Sequence, residues 1–116
     1  MYINKLANKS SKPSTTIDFN LQQYWKNFVE TSLSEDDVTV VNVDPGKIKP
    51  YMYNFYGLLH NILNIPRDYW LPNLYINGYK SSLDYLGDTR IKIINPEILE
   101  EALDHYTALQ KIKNNN

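Results

Sequence analysis

The sequence predicts a small α+β fold, and three observations support that class. Residues 38–43 and 90–94 are rich in β-branched side chains, which is typical of strands. Several segments between and around these strands repeat apolar residues at helical spacing. The chain has 116 residues. This length predicts one domain, because a single core of ordinary size needs about 100–150 residues.

The first helix is predicted from Asn20 to about Leu33. Apolar residues at positions 21, 24, 25, 28 and 29 form one stripe along it. Asn20 and Gln23 fit a capping box at its start. Because the stripe contains a Tyr, a Trp and a Phe ring, we expect the helix to dock either on the domain or on another chain.

The first strand is followed by Asp-Pro-Gly at residues 44–46, which predicts a turn in which Gly46 takes a positive φ. Pro50 then suits the first turn of a second helix that ends near residue 63. Gly57 lowers the propensity of this helix by about 1 kcal/mol relative to Ala. We therefore expect a close packing contact at Gly57.

A third helix is predicted from Pro66 to a left-handed cap at Asn77 and Gly78. Pro72 lies within this segment, and a proline in a helix interior costs about 3 kcal/mol or more. The helix therefore either starts late, near Leu71, or is broken in two.

The last helix is predicted to begin at Asn95, Pro96 and Glu97, which supply a cap, a first-position proline and a first-turn acid. It is expected to end near Lys111. The two strands are expected to pair antiparallel, with helices covering them, because a bare two-stranded sheet is only marginally stable in water. The apolar stripe of this helix consists of Leu99, Ala102, Leu103, Tyr106 and Leu109.

These elements divide the chain into four expected segments. The N-terminal segment is polar and without sustained periodicity, which is typical of an arm that orders on a partner. The strand-helix-helix-strand module follows a helix and a short acidic loop. The segments are an extended arm at residues 1–17, the N-terminal helix and acidic loop at 18–36, the module at 37–96 and the C-terminal helix at 97–116.

The charge balance argues against a nucleic-acid partner. The chain carries 12 Lys and Arg residues against 13 Asp and Glu residues, a formal net charge of −1. Binding to a polyanion depends largely on neutralising its phosphates with basic side chains. No apolar run approaches the roughly 18 residues of a membrane span, and the N-terminus lacks the apolar region of a signal peptide. We therefore expect a soluble, unprocessed chain with no nucleic-acid and no membrane partner.

No group of residues predicts a catalytic, metal or cofactor site. The chain has no Cys, which excludes disulfides, thiolate ligands and a thiol nucleophile. Its two imidazoles, His60 and His105, are not at metal-ligand spacing. The 4 Gly residues are too dispersed to form a phosphate-binding loop. We expect a chain that is not an enzyme and binds no cofactor.

The aromatic content is the most informative part of the composition. Ten Tyr, two Trp and three Phe residues make up 13% of the chain. The rings either cover a thin core with their polar tips in water, or they anchor a protein interface, where Tyr and Trp are enriched. Base stacking is a third use, which the neutral charge disfavours. The interface candidates are Tyr24, Trp25, Phe28, Tyr53, Tyr56, Tyr69, Trp70, Tyr75 and Tyr79.

Several short motifs also follow one another in a recognisable order. They are Val-Thr-Val-Val-Asn-Val at 38–43, Pro-Gly at 45–46, Asn-Phe-Tyr-Gly at 54–57, Asp-Tyr-Trp at 68–70, Leu-Tyr-Ile-Asn-Gly at 74–78, Leu-Gly-Asp at 86–88 and Ile-Lys-Ile-Ile-Asn-Pro at 91–96. In order and spacing they resemble the LysM-type module, and more specifically the small LysM-like baseplate wedge proteins of contractile-tailed bacteriophages. The resemblance covers about half of the chain.

This resemblance implies a LysM-like β-α-α-β module in a structural virion protein. The expected role is that of a baseplate component that holds neighbouring subunits of a phage tail together. Its expected partners are other tail and baseplate proteins, and it is expected in multiple copies in a symmetric assembly. The expected location is the virion, after assembly in the host cytoplasm.

Two other functions remain open. The first is a peptidoglycan-binding LysM module that uses the turn at residues 44–47 and the loop after Asn77. Sugar-binding LysM modules usually carry Gly-Asp-Thr-Leu after the first strand, whereas here Lys47 follows Gly46 and the Gly-Asp-Thr stretch lies at 87–89. This departure argues against a glycan partner. The second is a small phage regulatory protein, which the composition fits equally well.

Overall fold

The computed structural model describes residues 19–114, and the predicted arm at residues 1–17 lies outside the described residues. The predicted α+β class is confirmed, because helices surround a two-stranded antiparallel sheet. Single 3₁₀ turns lie at Glu35–Asp37, Lys49–Tyr51, Arg67–Tyr69 and Ser82–Asp84. The helices and strands, in order, are α1 (Phe19–Thr31), β1 (Val38–Asn42), α2 (Pro45–Ile48), α3 (Phe55–Asn61), α4 (Trp70–Ile76), β2 (Arg90–Ile94) and α5 (Pro96–Asn114).

The two strands form the sheet that the sequence predicts. They pair antiparallel in a register that sets Val38 opposite Ile94 and Asn42 opposite Arg90. β2 has the predicted bounds, and β1 ends one residue before the predicted Val43. Beyond its end, the Val43 N–H still donates to the carbonyl of Thr89 at 2.8 Å, so the pairing continues past the regular strand.

Asn73 in α4 and Asn77, which caps the C-terminus of α4, occupy the outer edge of β2. The buried Asn73 accepts from the Ile94 N–H at 2.9 Å and donates to the Tyr69 carbonyl at 2.8 Å. One turn later, Asn77 accepts from the Lys92 N–H at 2.8 Å and donates to the Lys92 carbonyl at 2.9 Å. Backbone groups of alternate residues in an antiparallel strand point away from its partner. The asparagine amides therefore satisfy the edge groups that a third strand would otherwise pair with.

The core consists of two clusters on either side of α4. The first lies within the predicted module, between α3, α4 and the sheet. The second joins α1 and α5 to the end of β2, and the half-buried Leu71 and Tyr75 of α4 pack against both clusters. Val43, Ile48, Phe55, Leu58, Leu59, Leu74, Tyr85 and Ile91 form the first cluster, and Trp25, Ile94, Leu99 and Ala102 form the second.

The helix α1 docks on its own domain, which decides between the two alternatives left by the sequence. Trp25 is only 1% exposed and lies in the second cluster. The Tyr24 hydroxyl donates to the carbonyl of Ala102 in α5 at 2.8 Å. The predicted capping box is wrong, because the helix begins at Phe19 and Asn20 lies inside it.

The predicted turn at residues 44–46 is instead the start of the short helix α2. Asp44 caps this helix by accepting from the Gly46 N–H at 2.9 Å. Pro45 takes the first helical position, where a missing N–H does no harm. Among the described residues, the glycines with positive φ are Gly78 and Gly87. Gly46 is therefore helical, and the expectation of a positive φ there was wrong.

The second helix begins five residues later than predicted. Pro50 lies in a 3₁₀ turn, the chain then reverses at Tyr53 with φ +63°, and α3 starts at Phe55. The Asn54 side chain caps α3 by accepting from the Gly57 N–H at 3.0 Å. A Cβ at Gly57 would lie 2.5 Å from Nδ2 of Asn54, which confirms the predicted close contact at this glycine.

The proline in the third helix causes no break, because the helix starts late. A 3₁₀ turn at Arg67–Tyr69 precedes α4, which begins at Trp70 and so places Pro72 in its first turn. Backbone N–H groups of a first turn have no partner within the helix, so the missing donor costs little there. The predicted left-handed cap is confirmed by Gly78, which has φ +82°.

The last helix begins as predicted, with the Asn95 side chain accepting from the Glu97 N–H at 3.0 Å. It continues to Asn114, three residues beyond the predicted end. The apolar stripe contacts the core only as far as Tyr106, because Leu109 is 44% exposed. Within residues 19–114, no helix combines the length and apolar character needed to cross a membrane.

The substitution Asn73→Ala tests the contribution of the edge contacts. Removing the amide leaves the buried Ile94 N–H without its partner, and an unsatisfied buried donor costs about 1–3 kcal/mol. We expect the free energy of unfolding, measured by urea denaturation, to fall by about 2–3 kcal/mol. The matched control Asn61→Ala, at the exposed last residue of α3, is expected to change it by less than about 0.5 kcal/mol.

Candidate functional site

The interface candidates fall into four environments. Trp25 is a core residue of this chain, so it is corrected from an interface anchor to a structural residue. Tyr24, Phe28 and Tyr69 are half-buried around the second cluster. Tyr53 is 57% exposed on a loop. The structure brings the remaining four candidates, Tyr56, Trp70, Tyr75 and Tyr79, to one groove.

That groove, here called the aromatic groove, lies between α1 and the side of the domain formed by α3, α4 and the loop after α4. It consists of two adjoining cavities of about 630 Å³ and 410 Å³. Gln22 and Lys80 line both cavities and so connect them. The larger cavity is also lined by Gln23, Lys26, Val29, Glu30, Tyr75, Gly78 and Tyr79, and the smaller one by Tyr56, Arg67, Trp70, Leu71, Ser81 and Ser82.

One end of the aromatic groove is built on a stacked pair of rings. Tyr56 and Trp70 stack with centroids 5.2 Å apart and an angle of 22° between their planes. The Trp70 indole N–H donates to the Ile65 carbonyl at 2.8 Å, which fixes the orientation of that ring. The Arg67 guanidinium lies 5.9 Å from the centre of the Trp70 ring, within cation–π range. This end therefore presents a fixed aromatic surface beside a positive charge.

The tyrosine hydroxyls of this region differ in their surroundings. Burial raises the pKa of Tyr56, and the neighbouring Tyr75 hydroxyl raises it further. Burial also raises the pKa of Tyr69, with a smaller contribution from nearby carboxylates, of which Glu100 is the largest. Both rings are therefore neutral hydrogen-bond donors over the whole physiological pH range.

At the other end of the groove, Asp88 holds two tyrosines. The Tyr79 hydroxyl donates to the Asp88 carboxylate at 2.5 Å, and the Tyr85 hydroxyl donates to the Asp88 carbonyl at 2.6 Å. Both rings also pack against Phe55 in the core, with centroids 5.1 Å and 5.3 Å away. These contacts fix the loop between α4 and β2 against α3.

A second surface, here called the loop patch, consists of the exposed side chains of Met52, Tyr53, Leu83 and Leu86. Their exposed fractions are 36%, 57%, 70% and 66%. Two segments meet there, because the Tyr53 N–H donates to the Tyr85 carbonyl at 2.8 Å. The left-handed backbone of Tyr53, with φ +63°, is uncommon for a residue other than glycine. It is held in place by this hydrogen bond and by the Asn54 cap that follows.

Of the four residues in the loop patch, only Tyr53 is an interface candidate from the sequence. Leu83 and Leu86 lie in a polar loop without helical or strand periodicity, so neither is an interface candidate from the sequence, although Leu86 begins the Leu-Gly-Asp motif. The sign that the sequence offers is that both are isolated aliphatic residues in a polar loop. Such a residue has no position in the core to fill, which indicates that it is exposed. The meeting of the two segments depends on a long-range backbone contact that the sequence does not reveal.

Residues with metal-binding side chains do not converge in the described part of the chain. No group of three or more His, Asp or Glu side chains within residues 19–114 is arranged to hold a metal ion. His60 is exposed and lies edge-on to Trp70, with ring centroids 5.9 Å apart. His105 is on α5 and lies beside Tyr24 of α1.

No protein-family model, no curated protein and no solved structure matches this chain.

The pKa of Tyr85 predicts a loss of stability at alkaline pH. Burial, with a smaller contribution from Asp88, raises this pKa from 10.0 to about 12. Between these two values the unfolded chain has lost a proton that the folded chain keeps, so unfolding becomes easier as pH rises. The stabilisation by the neutral hydroxyl is therefore complete below pH 10 and is lost between pH 10 and about 12.

Urea denaturation measured across this pH range checks the prediction. The variant Tyr85→Phe, which cannot ionise, should show a smaller decline above pH 10 than the unmodified chain. Tyr53→Phe, at the exposed ring of the loop patch, serves as the control and should keep the full decline. An equal decline in the free energy of unfolding for Tyr85→Phe and the unmodified chain would contradict the assignment of this pH dependence to Tyr85.

Proposed function

We propose that this chain is a non-enzymatic structural protein of a contractile phage tail. In this role it holds neighbouring baseplate subunits together through protein contacts. The loop patch carries the proposal, because four exposed apolar side chains on two adjoining loops are the surface that a protein partner would cover. The kind of assembly is inferred from the sequence resemblance to LysM-like baseplate wedge proteins.

The physical chemistry of the loop patch favours a lasting contact. Removing apolar surface from water is favourable by about 25 cal/mol per Å², before the costs of association are subtracted. The backbone of both segments is already held by hydrogen bonds, from the Tyr53 N–H to the Tyr85 carbonyl and from the Tyr85 hydroxyl to the Asp88 carbonyl. A partner that covers the patch therefore orders few additional residues, and less binding energy is lost to entropy.

The resemblance extends the proposal to location and copy number. Tail baseplates are built from repeated subunits around an axis, so the chain would be present in several symmetry-related copies. Other tail and baseplate proteins would be its partners. It would be assembled in the host cytoplasm and remain in the virion.

A glycan-binding module is a second candidate, and one observation favours it. The Tyr53 ring is 57% exposed, and the Tyr53 N–H donates to the Tyr85 carbonyl in the loop after Asn77, which is one of the two segments expected to bind sugar. A flat exposed ring of this kind can stack on the apolar face of a sugar. The missing Gly-Asp-Thr-Leu stretch after β1 argues against this function.

Purified virions of the phage that encodes the chain test the proposed function directly. An antibody against the chain should label the baseplate end of the tail in electron micrographs, and mass spectrometry should detect the chain in the particles. Absence of the chain from purified particles would contradict the proposal. Saturable sedimentation of the purified chain with peptidoglycan, together with that absence, would favour the glycan-binding alternative.

The double variant Leu83→Ser and Leu86→Ser tests the role of the loop patch. Because both side chains are exposed, we expect the variant to fold normally and to be depleted from particles by about tenfold or more. The matched control replaces Leu109 and Ile112 by Ser, two aliphatic residues that are 44% and 61% exposed on α5. Equal incorporation of the two double variants would contradict the role of the patch.

A further inference from the structure

Basic side chains are concentrated along the aromatic groove. Lys26, Arg67 and Lys80 line it, whereas Glu30 is the single carboxylate among the lining residues that the structure describes. The whole chain has a net charge of −1, so this excess of positive charge is local. A groove lined by one sign of charge favours ligands of the opposite sign.

The same groove is also lined by hydroxyl donors that have no acceptor in the described part of the chain. Within the described residues, the hydroxyls of Tyr56 and Tyr75 make no hydrogen bond, although both rings are half-buried. The oxygen of Ser82 accepts from the Tyr56 N–H at 2.9 Å, which leaves the Ser82 hydroxyl proton available as a donor. A ligand that brings acceptor oxygens would therefore give partners to donors that are unpaired within residues 19–114.

We propose that the aromatic groove binds an acidic segment of a partner protein. Carboxylates of the segment would meet Arg67 and Lys80 and accept from the tyrosine hydroxyls. Apolar side chains of the segment would lie against Trp70, Leu71 and Val29, which form the apolar walls. The two cavities, of about 630 Å³ and 410 Å³, have the size of ordinary ligand sites.

A peptide fits these walls better than a nucleic acid. Binding to a nucleic acid follows a track of phosphates with several basic side chains at regular intervals. Here three cations are spread over two cavities whose remaining lining includes four aromatic rings and two aliphatic side chains. Carboxylates interspersed with apolar side chains match this mixture. The inference does not depend on the proposed virion role.

The experiment uses a fluorescent random copolymer of Glu and Tyr in a ratio of about 4:1 as the probe and the full chain as the protein. We expect saturable binding at low salt that weakens as salt is added, because exposed ion pairs are screened. The double variant Arg67→Glu and Lys80→Glu should bind about tenfold more weakly. A matched double variant, Lys47→Glu and Arg90→Glu, changes the same charge at exposed positions outside the groove and should bind as the unmodified chain does.

Nuclear magnetic resonance locates the contact. Of the two indole N–H signals, that of Trp70 in the groove should shift on titration, and that of Trp25 in the core should not. Absence of saturable binding, or equal weakening in both double variants, would overturn the proposal. A copolymer of Lys and Tyr that binds as tightly would overturn it as well, and so would a thymidine oligonucleotide that displaces the acidic probe.

Discussion

The structure depends on the contact that Asn73 of α4 and the C-cap residue Asn77 make with the outer edge of β2. A two-stranded sheet alone is only marginally stable in water. Here Asn73 and Asn77 make hydrogen bonds to the backbone of Ile94 and Lys92, so α4 is tied to the sheet by directional contacts as well as by packing. The direction matters, because hydrogen bonds fix the rotation of the helix whereas apolar packing alone tolerates small rotations.

The orientation of α4 in turn determines where the surface rings lie. Leu71 and Tyr75 face the two core clusters, which joins the module to α1 and α5. Trp70 and Tyr75 then form one wall of the aromatic groove, and α1 forms the other. Tyr79 and Tyr85, held by Asp88, fix the following loop and with it the loop patch. The fold thus orients two surfaces with different chemistry, one basic and aromatic and one apolar.

Local chemistry made part of this structure predictable. The bounds of β2, the start of α5 at Asn95 and the cap at Gly78 depend on residues close together in the chain. The start of α3 was missed because the helical spacing of Tyr51 and Phe55 continues through a region that is not helical. There, the Tyr53 N–H pairs with a carbonyl 32 positions away, and the Asn54 cap restarts the helix.

The candidate surfaces were harder to predict than the fold, because they also depend on contacts between residues far apart in the chain. The sequence marked Tyr56, Trp70, Tyr75 and Tyr79 as candidates, but their meeting in one groove requires α1 to dock on α4. Trp25 was assigned to an interface because its ring is large and apolar, and only the packing shows that this chain buries it. The edge contacts of the asparagines span 15 and 21 positions. Amide side chains in a helix give no sign of such distant partners.

Native-state hydrogen exchange of the β2 amides tests the central role of these asparagine contacts most directly. The Lys92 and Ile94 amides should be protected as strongly as those of Ile91 and Ile93, which face β1. Exchange of the Lys92 and Ile94 amides at the rate of an open strand edge would contradict this role.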